Sequence, residues 1–256
     1  MVDPPPPVEA SPLEYREYFA SRRPSSFGER VLRSWHRRLL RLAIRFLPEL
    51  PQSRVVEVGA GWGFFAEACR ERGIPYEGIE LDAQQAGALR AAGFDVRAGA
   101  VPPFPEGGAA QVVWMSHVLE HALDHRHAMA MVRSAFERLD PGGALVVIGP
   151  DVLAWGTEFW NCDWSHGYPT SRRRVEQLMA EAGFVRVASR SHVATLDQPV
   201  LVPLLALLFR MVPYRLIDAI LLRTIGRDFA YSFMGVYGWK QILVIGRRPG
   251  SGQATG

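Results

Sequence analysis

Apolar positions along the chain follow two periods, one helical and one of short strands. From Leu13 to Leu50, Val31, Leu32, Trp35, Leu39, Leu42, Ile44 and Phe46 recur near helical spacing, with Arg30, Arg33, Arg37, Arg38, Arg41 and Arg45 between them. That pattern predicts amphipathic helix ended by Pro48 and Pro51. A β-branched run, Arg54 to Val58, then leads into a glycine cluster, and a helix is expected from about Phe64 to Arg72. Strand character returns at Tyr76 to Leu81, Asp95 to Ala98 and Gln111 to Met115, with a helix at Ala83 to Ala92 and helical spacing from the fourth strand to Leu139. Asp140-Pro141-Gly142-Gly143 reads as a turn before Ala144 to Ile148, an apolar strand buried on both faces. Beyond an aromatic segment, Trp155 to Tyr168, come a helix at Ser171 to Ala182 and strands at Phe184 to Ser191 and Trp239 to Gly246. Strands alternating with helices of these lengths predict an α/β sandwich on a mainly parallel sheet.

The same pass divides the chain. Residues 1–12, with four consecutive prolines, read as a disordered lead-in, 13–50 as a helical cap, and 249–256 as a disordered tail. Residues 51–248 form one domain, with a distinctive loop at 151–170 and an apolar insertion at 196–235. The chain of 256 residues, 48% hydrophobic and 21% charged, supports one core with a helical appendage. The balance of 29 basic to 26 acidic residues is too even to argue for nucleic acid. Cys69 and Cys162 have no CxxC spacing, so a reduced compartment is the default and no disulfide is expected. The N-terminus lacks the basic and apolar regions of a signal peptide, which points to a cytoplasmic protein.

The strongest chemical signal is Glu57-Val58-Gly59-Ala60-Gly61-Trp62-Gly63-Phe64, a buried strand delivering the chain into a glycine-rich turn that opens a helix. Glycines suit a turn where backbone takes positive φ or a ligand approaches closely. A dinucleotide fingerprint needs its third glycine where Phe64 stands, and Glu57 would repel a pyrophosphate. A nicotinamide-dependent oxidoreductase is thereby disfavoured, whereas a cofactor carrying an amino group and a sulfonium suits the site. Glu80 ends the second strand, where a carboxylate can accept both hydroxyls of a ribose.

These residues resemble the class I S-adenosylmethionine-dependent methyltransferases. Glu57-x-Gly59-x-Gly61-x-Gly63 and Gly78-Ile79-Glu80-Leu81-Asp82 look like the first two motifs of that family. Val112 to His121, with its Val-Leu-Glu-His ending, is similar to the fourth strand and its continuation, and Leu139-Asp140-Pro141-Gly142-Gly143 to the turn before the fifth. Together they span about residues 53–150. The resemblance implies a Rossmann-like seven-stranded sheet of order 3-2-1-4-5-7-6 with only the seventh strand antiparallel. It implies S-adenosylmethionine as cofactor and S-adenosylhomocysteine as product. Glu57, Gly59, Ala60, Gly61 and Gly63 would hold the methionine portion, Glu80 and Leu81 the ribose, and Ser116 and His117 the channel to the acceptor. The family commonly binds the adenine amino group with an acid after the third strand; here Ala98-Gly99-Ala100-Val101 has none, leaving backbone near Ala100 for that contact.

The acceptor end is less clearly written. An oxygen nucleophile usually needs a base, for which His117, His121, His166, Asp163, Glu158 and Tyr168 are candidates, with His166 the first choice and His117 the second. Trp155, Phe159, Trp160, Trp164 and Tyr168 suit a wall of an acceptor pocket, or else a loop packed under the sheet with Asp163 and His166 bonded to backbone. His117, His121 and His125 fall at i, i+4, i+8, but a surface histidine row rarely makes a metal site, and no metal is expected. The insertion is broken by Pro199, Pro203 and Pro213 and by Arg210, Arg215 and Asp218, so it is no membrane span. It reads as a lid, a homodimer interface or an interfacial helix at a membrane surface, and packing across the cofactor cleft with its arginines in solvent is preferred.

The expected function is methyl transfer to a small apolar, lipid-linked or carrier-linked acceptor, O-methylation by default. C- or N-methylation and a non-catalytic, membrane-associated scaffold are the alternatives. A nucleic-acid acceptor is not expected, because Ser116-His117-Val118-Leu119 stands where an Asn/Asp-Pro-Pro-aromatic motif would be.

Overall fold

A computed structural model describes residues 24–198, 200–225, 234 and 238–250. The expected lead-in, the start of the helical cap, the end of the insertion and most of the tail lie outside the described residues. In chain order the elements are α1 (Ser26–Ile44), β1 (Val55–Val58), α2 (Phe64–Arg70), β2 (Tyr76–Glu80), α3 (Ala83–Ala91), β3 (Val96–Ala98), β4 (Ala110–Ser116) and α4 (His125–Arg138). There follow β5 (Leu139–Pro150), α5 (Val152–Trp155), α6 (Glu158–Asn161), α7 (Arg172–Glu181), β6 (Val185–His192), α8 (Leu201–Arg210), α9 (Tyr214–Ile225) and β7 (Gln241–Arg247). The sheet order is β3-β2-β1-β4-β5-β7-β6, and β7 runs antiparallel to both neighbours while the other pairs are parallel.

The strand period of two sorts side chains into two cores. Val56, Val58, Val113, Met115, Leu145 and Val147 face α4 and α7, meeting Met131, Val132, Val175 and Leu178. Their neighbours Val55, Val112, Trp114, Val146 and Ile148 face α1 and α2, meeting Trp35, Leu39, Phe65 and Cys69. Both faces are therefore dry, which is why these strands read as near-continuous apolar runs. Trp114 stacks on Phe65 with ring centroids 4.2 Å apart. On α1 and α2, Arg33 and Arg37 sit one turn apart and bond Glu67 and Glu71 at 2.6 and 2.8 Å, a two-rung ladder fixing the helices together.

Several expectations change. The helix ends at Ile44, ahead of Pro48, because the chain turns to bury Leu47 and Leu50, and the residue before a proline is disfavoured in helix. No continuous helix follows β4: His117 takes φ +56°, Leu119–His121 is a single 3-10 turn, and α4 starts only at His125, capped by Asp124. His117, His121 and His125 therefore share no helical face. The turn at Asp140–Gly143 lies inside β5 as an excursion, with Gly142 at φ +86° and its N–H bonded to the Arg248 carbonyl. Pro203 does not interrupt the insertion; it occupies the first turn of α8, where a helix needs no proline N–H. No helix among the described residues is long and apolar enough to cross a membrane.

Candidate functional site

The carboxyl ends of β1 and β2 build a cradle of backbone. Gly59, Gly61 and Gly63 take φ of +75°, +53° and +78°. A Cβ on Gly59 would stand 2.7 Å from Val118, and one on Gly63 2.6 Å from Leu89, so both conformation and space require glycine. Glu80 ties this turn to the second strand: its carboxylate accepts from Gly61 N–H at 2.7 Å and Asp82 N–H at 3.0 Å, and Gln85 donates to the Gly61 carbonyl at 2.8 Å. Burial raises the Glu80 pKa against these backbone donors, the Leu81 N–H among them. Ala100 lies just past Gly99, whose N–H bonds the Glu80 carbonyl at 2.9 Å, which brings that backbone beside the carboxyl end of β2.

Glu57 occupies a different level. It pairs in register with Gly78, and its carboxylate, 3% exposed, accepts from the Tyr76 hydroxyl at 2.6 Å. Tyr76 lies along the sheet over Gly78, where a Cβ would come 2.6 Å from the hydroxyl oxygen and 3.2 Å from Ala60. Glu57 and Tyr76 thus support the turn from beneath, and burial pushes both pKa values well up. Tyr76 was not singled out from the sequence, although Tyr76, Gly78 and Glu80 share one strand face by their period of two.

At the end of β4 the chain makes a strained bend. His117 holds a left-handed φ of +56°, unusual for a side chain of its size, while its N–H bonds the Ile148 carbonyl at 2.9 Å. Its Nδ1 lies 3.0 Å from Oε1 of Glu120, which is fully buried in the turn Leu119–His121. Burial pulls the His117 pKa down, but Glu120 and Gln241 outweigh it and the net shift is upward. Burial opposes ionisation of Glu120, yet His117, His121 and His166 hold its carboxyl below the usual range. The Trp35 ring, from α1, stands 5.6 Å from that of His117. Burial brings His36 down to about 4 and His192 to about 3, so both are neutral near pH 7.

The first part of the aromatic segment forms two short helices, α5 and α6, while Cys162 to Thr170 is a loop. Trp155 and Phe159 pack with Trp239 and Met234, and Trp155 Nε1 donates to the Lys240 carbonyl at 2.9 Å, whereas Trp160 and Trp164 are exposed. One half of the segment is packed and the other half faces outward. His166 is buried and its Nδ1 donates to the Phe159 carbonyl at 2.5 Å. His121 Nδ1 bonds Ser165 Oγ at 2.8 Å, and Ser165 in turn donates to Asp163 at 2.6 Å. Tyr168 N–H bonds the Glu120 carbonyl at 3.0 Å, stitching the segment to the turn after β4. The fold thus gathers His117, Glu120, His121 and His166, with Asp163 as an orienting group. Glu158 is directed instead to Arg215 of α9, whose side chain stays largely exposed to solvent while it makes this pair. The insertion packs on the aromatic segment through Phe209, Val212 and Tyr214.

A family model described as a methyltransferase domain matches residues 27–189, well over half of the chain. The chain belongs to this family. It is an S-adenosylmethionine-dependent methyltransferase of Rossmann-like fold. The methyltransferase resembles a crystal structure of an S-adenosylmethionine-dependent methyltransferase from Archaeoglobus fulgidus at 18% identity and TM-score 0.54, covering 82% of this chain and 94% of the other. It is similar to N-methyltransferase NodS from Bradyrhizobium japonicum WM9, solved with S-adenosyl-L-homocysteine, at 15% identity and TM-score 0.55, covering 85% and 87%. The CcbJ methyltransferase from Streptomyces caelestis gives 15% identity and TM-score 0.54, covering 82% and 89%. At these identities the likeness concerns the fold. A search of curated proteins finds no match.

Proposed function

We propose that this methyltransferase methylates an oxygen of a small acceptor with an apolar body, and that His117 is the general base. One observation carries the reading: buried polar atoms without an aligned hydrogen-bond partner gather round His117. They are Trp35 Nε1, Ser116 Oγ, both oxygens of Glu120 and both ring nitrogens of His192. An unsatisfied buried polar group costs about 1–3 kcal/mol, so such a concentration is expected where a polar reacting group docks.

The cradle fits the cofactor on this chain's own geometry, since three glycines of positive φ turn the backbone at the end of β1 and Glu80 presents a buried carboxylate beside them. Gly59, Gly61, Gly63 and the backbone near Ala60 would hold the methionine portion; Glu80, Leu81 and Ala100 would hold the ribose and adenine. Bound there, S-adenosylmethionine supplies an electrophilic methyl group and leaves as S-adenosylhomocysteine. His117, turned toward Glu120 through Nδ1, would take the acceptor's hydroxyl proton on Nε2, and Glu120 and Gln241 favour the imidazolium that forms. Ser116 and Trp35 offer donors to orient the acceptor. His166, the first choice from the sequence, binds the Phe159 carbonyl at 2.5 Å and lies deeper, which favours His117 for contact with the acceptor.

The apolar body follows from α8 and α9. Leu204, Leu207 and Leu208 on one helix and Leu216, Ile220 and Leu222 on the other are exposed, beside Arg210 and Arg223. Such a pair of helices supports an amphiphilic acceptor collected at a membrane surface. The test is transfer of labelled methyl from S-adenosylmethionine to a panel of apolar phenols and alcohols, with amines and RNA alongside. Label on oxygen in an organic-extractable product is expected, and label confined to amines or RNA would contradict the reading.

A further inference from the structure

We propose that Glu120, His121 and His166 bind a divalent first-row transition-metal ion of the zinc or manganese kind. One donor atom from each lies within 4.8 Å of the others. Donors about 2.1 Å from a four-coordinate ion stand about 3.4 Å apart, so side-chain rotations that draw the three donors inward by about an ångström close the site. The set of two imidazoles and one carboxylate suits such an ion better than magnesium, which prefers oxygen donors and bound water.

Convergence alone would be weak, and three further features point to a ligand. Glu120 is 0% exposed, and neither oxygen has an aligned hydrogen-bond partner. Its Oε1 has His117 Nδ1 at 3.0 Å, which leaves Oε2 as the donor for an ion. Both histidines are oriented as ligating histidines are. A carbonyl can only accept, so the bond from His166 to Phe159 places the imidazole proton on Nδ1 and the lone pair on Nε2. Ser165 spends its hydroxyl proton on Asp163 and so accepts from His121 Nδ1, fixing the same tautomer there. The two segments are also locked together: a Cβ on Gly167 would stand 2.5 Å from the Ala122 carbonyl, so glycine is needed beside His166 for the close approach.

Three protein ligands leave an open position, which an acceptor oxygen would occupy; that role rests on the oxygen-transfer reading, while the site itself does not. Chelator-stripped full-length protein, dialysed against Zn²⁺ or Mn²⁺, is expected to take up a single ion per chain in the presence of excess Mg²⁺. His121→Ala and His166→Ala are each expected to weaken uptake at least tenfold while leaving S-adenosylhomocysteine affinity unchanged, which separates this test from that of the methyltransferase cradle. If an alanine variant also loses S-adenosylhomocysteine, His166→Gln, which keeps a donor for the Phe159 carbonyl, replaces it. Absence of stoichiometric uptake by the wild type, or uptake unaltered in the folded histidine variants, overturns the metal site. Turnover unchanged by stripping would overturn its role in holding the acceptor.

Discussion

The cradle after β1 and the chamber after β4 lie at the same edge of one sheet but are made of different material. The cradle is backbone: three glycines with positive φ, and Glu80 reaching across to the Gly61 N–H. The chamber is side chain: Trp35 from α1, His117 and Glu120 after β4, His166 from the aromatic segment and His192 at the end of β6. A backbone site recognises what every enzyme of this kind binds in common, and can be built from one short stretch of chain. A side-chain site drawn from four segments can be changed one residue at a time, which suits it to the acceptor choice proposed above.

Substitutions should divide along that line. The largest effect is expected from His117→Asn, which tolerates the left-handed backbone but removes the proposed base: turnover should fall about 10²–10⁴-fold with S-adenosylhomocysteine affinity unchanged. A fall in affinity of similar size would join the two regions into one. Glu80→Ala should do the reverse, weakening S-adenosylhomocysteine binding by about 1.5–3 kcal/mol in calorimetry. Gly63→Ala meets both positive φ and the Leu89 contact, and should destabilise the fold by about 1–3 kcal/mol in denaturant melts. Leu207→Ser on the exposed face of α8 should alter stability by no more than about 0.5 kcal/mol, yet raise KM for an apolar acceptor. An unchanged KM would remove α8 from acceptor capture. The smallest effect concerns pH. Burial raises the Glu80 pKa above 4.5, so acidification protonates it early and removes a hydrogen-bond acceptor. Affinity for S-adenosylhomocysteine should therefore decline as pH drops below neutral, and the decline should be flatter in Glu80→Gln.

The same contrast governs what could be read from the sequence. Glycines at positions fixed by the turn, a strand period of two and Glu80 at a strand end are local signals, and the sheet order, its antiparallel seventh strand and the cradle followed from them with the family resemblance. The helix expected through His117 failed because apolar spacing cannot register one left-handed residue that re-aims the chain. Glu120 lay in view within Val-Leu-Glu-His, but its burial against His166, 46 residues on, is a tertiary fact. His192 carries no local signal, since in the sequence it only ends an ordinary strand. Pro203 misled in the other direction, its place in the first turn of α8 depending on where that helix starts.

The most direct measurement is a calorimetric titration of the purified protein with S-adenosylhomocysteine, with NADH as control ligand and His117→Asn in parallel. The account predicts single-site binding of S-adenosylhomocysteine, equal in wild type and variant, and none of NADH. No binding of S-adenosylhomocysteine to the wild type would contradict it, leaving the glycine turn a structural bend and the chain a scaffold.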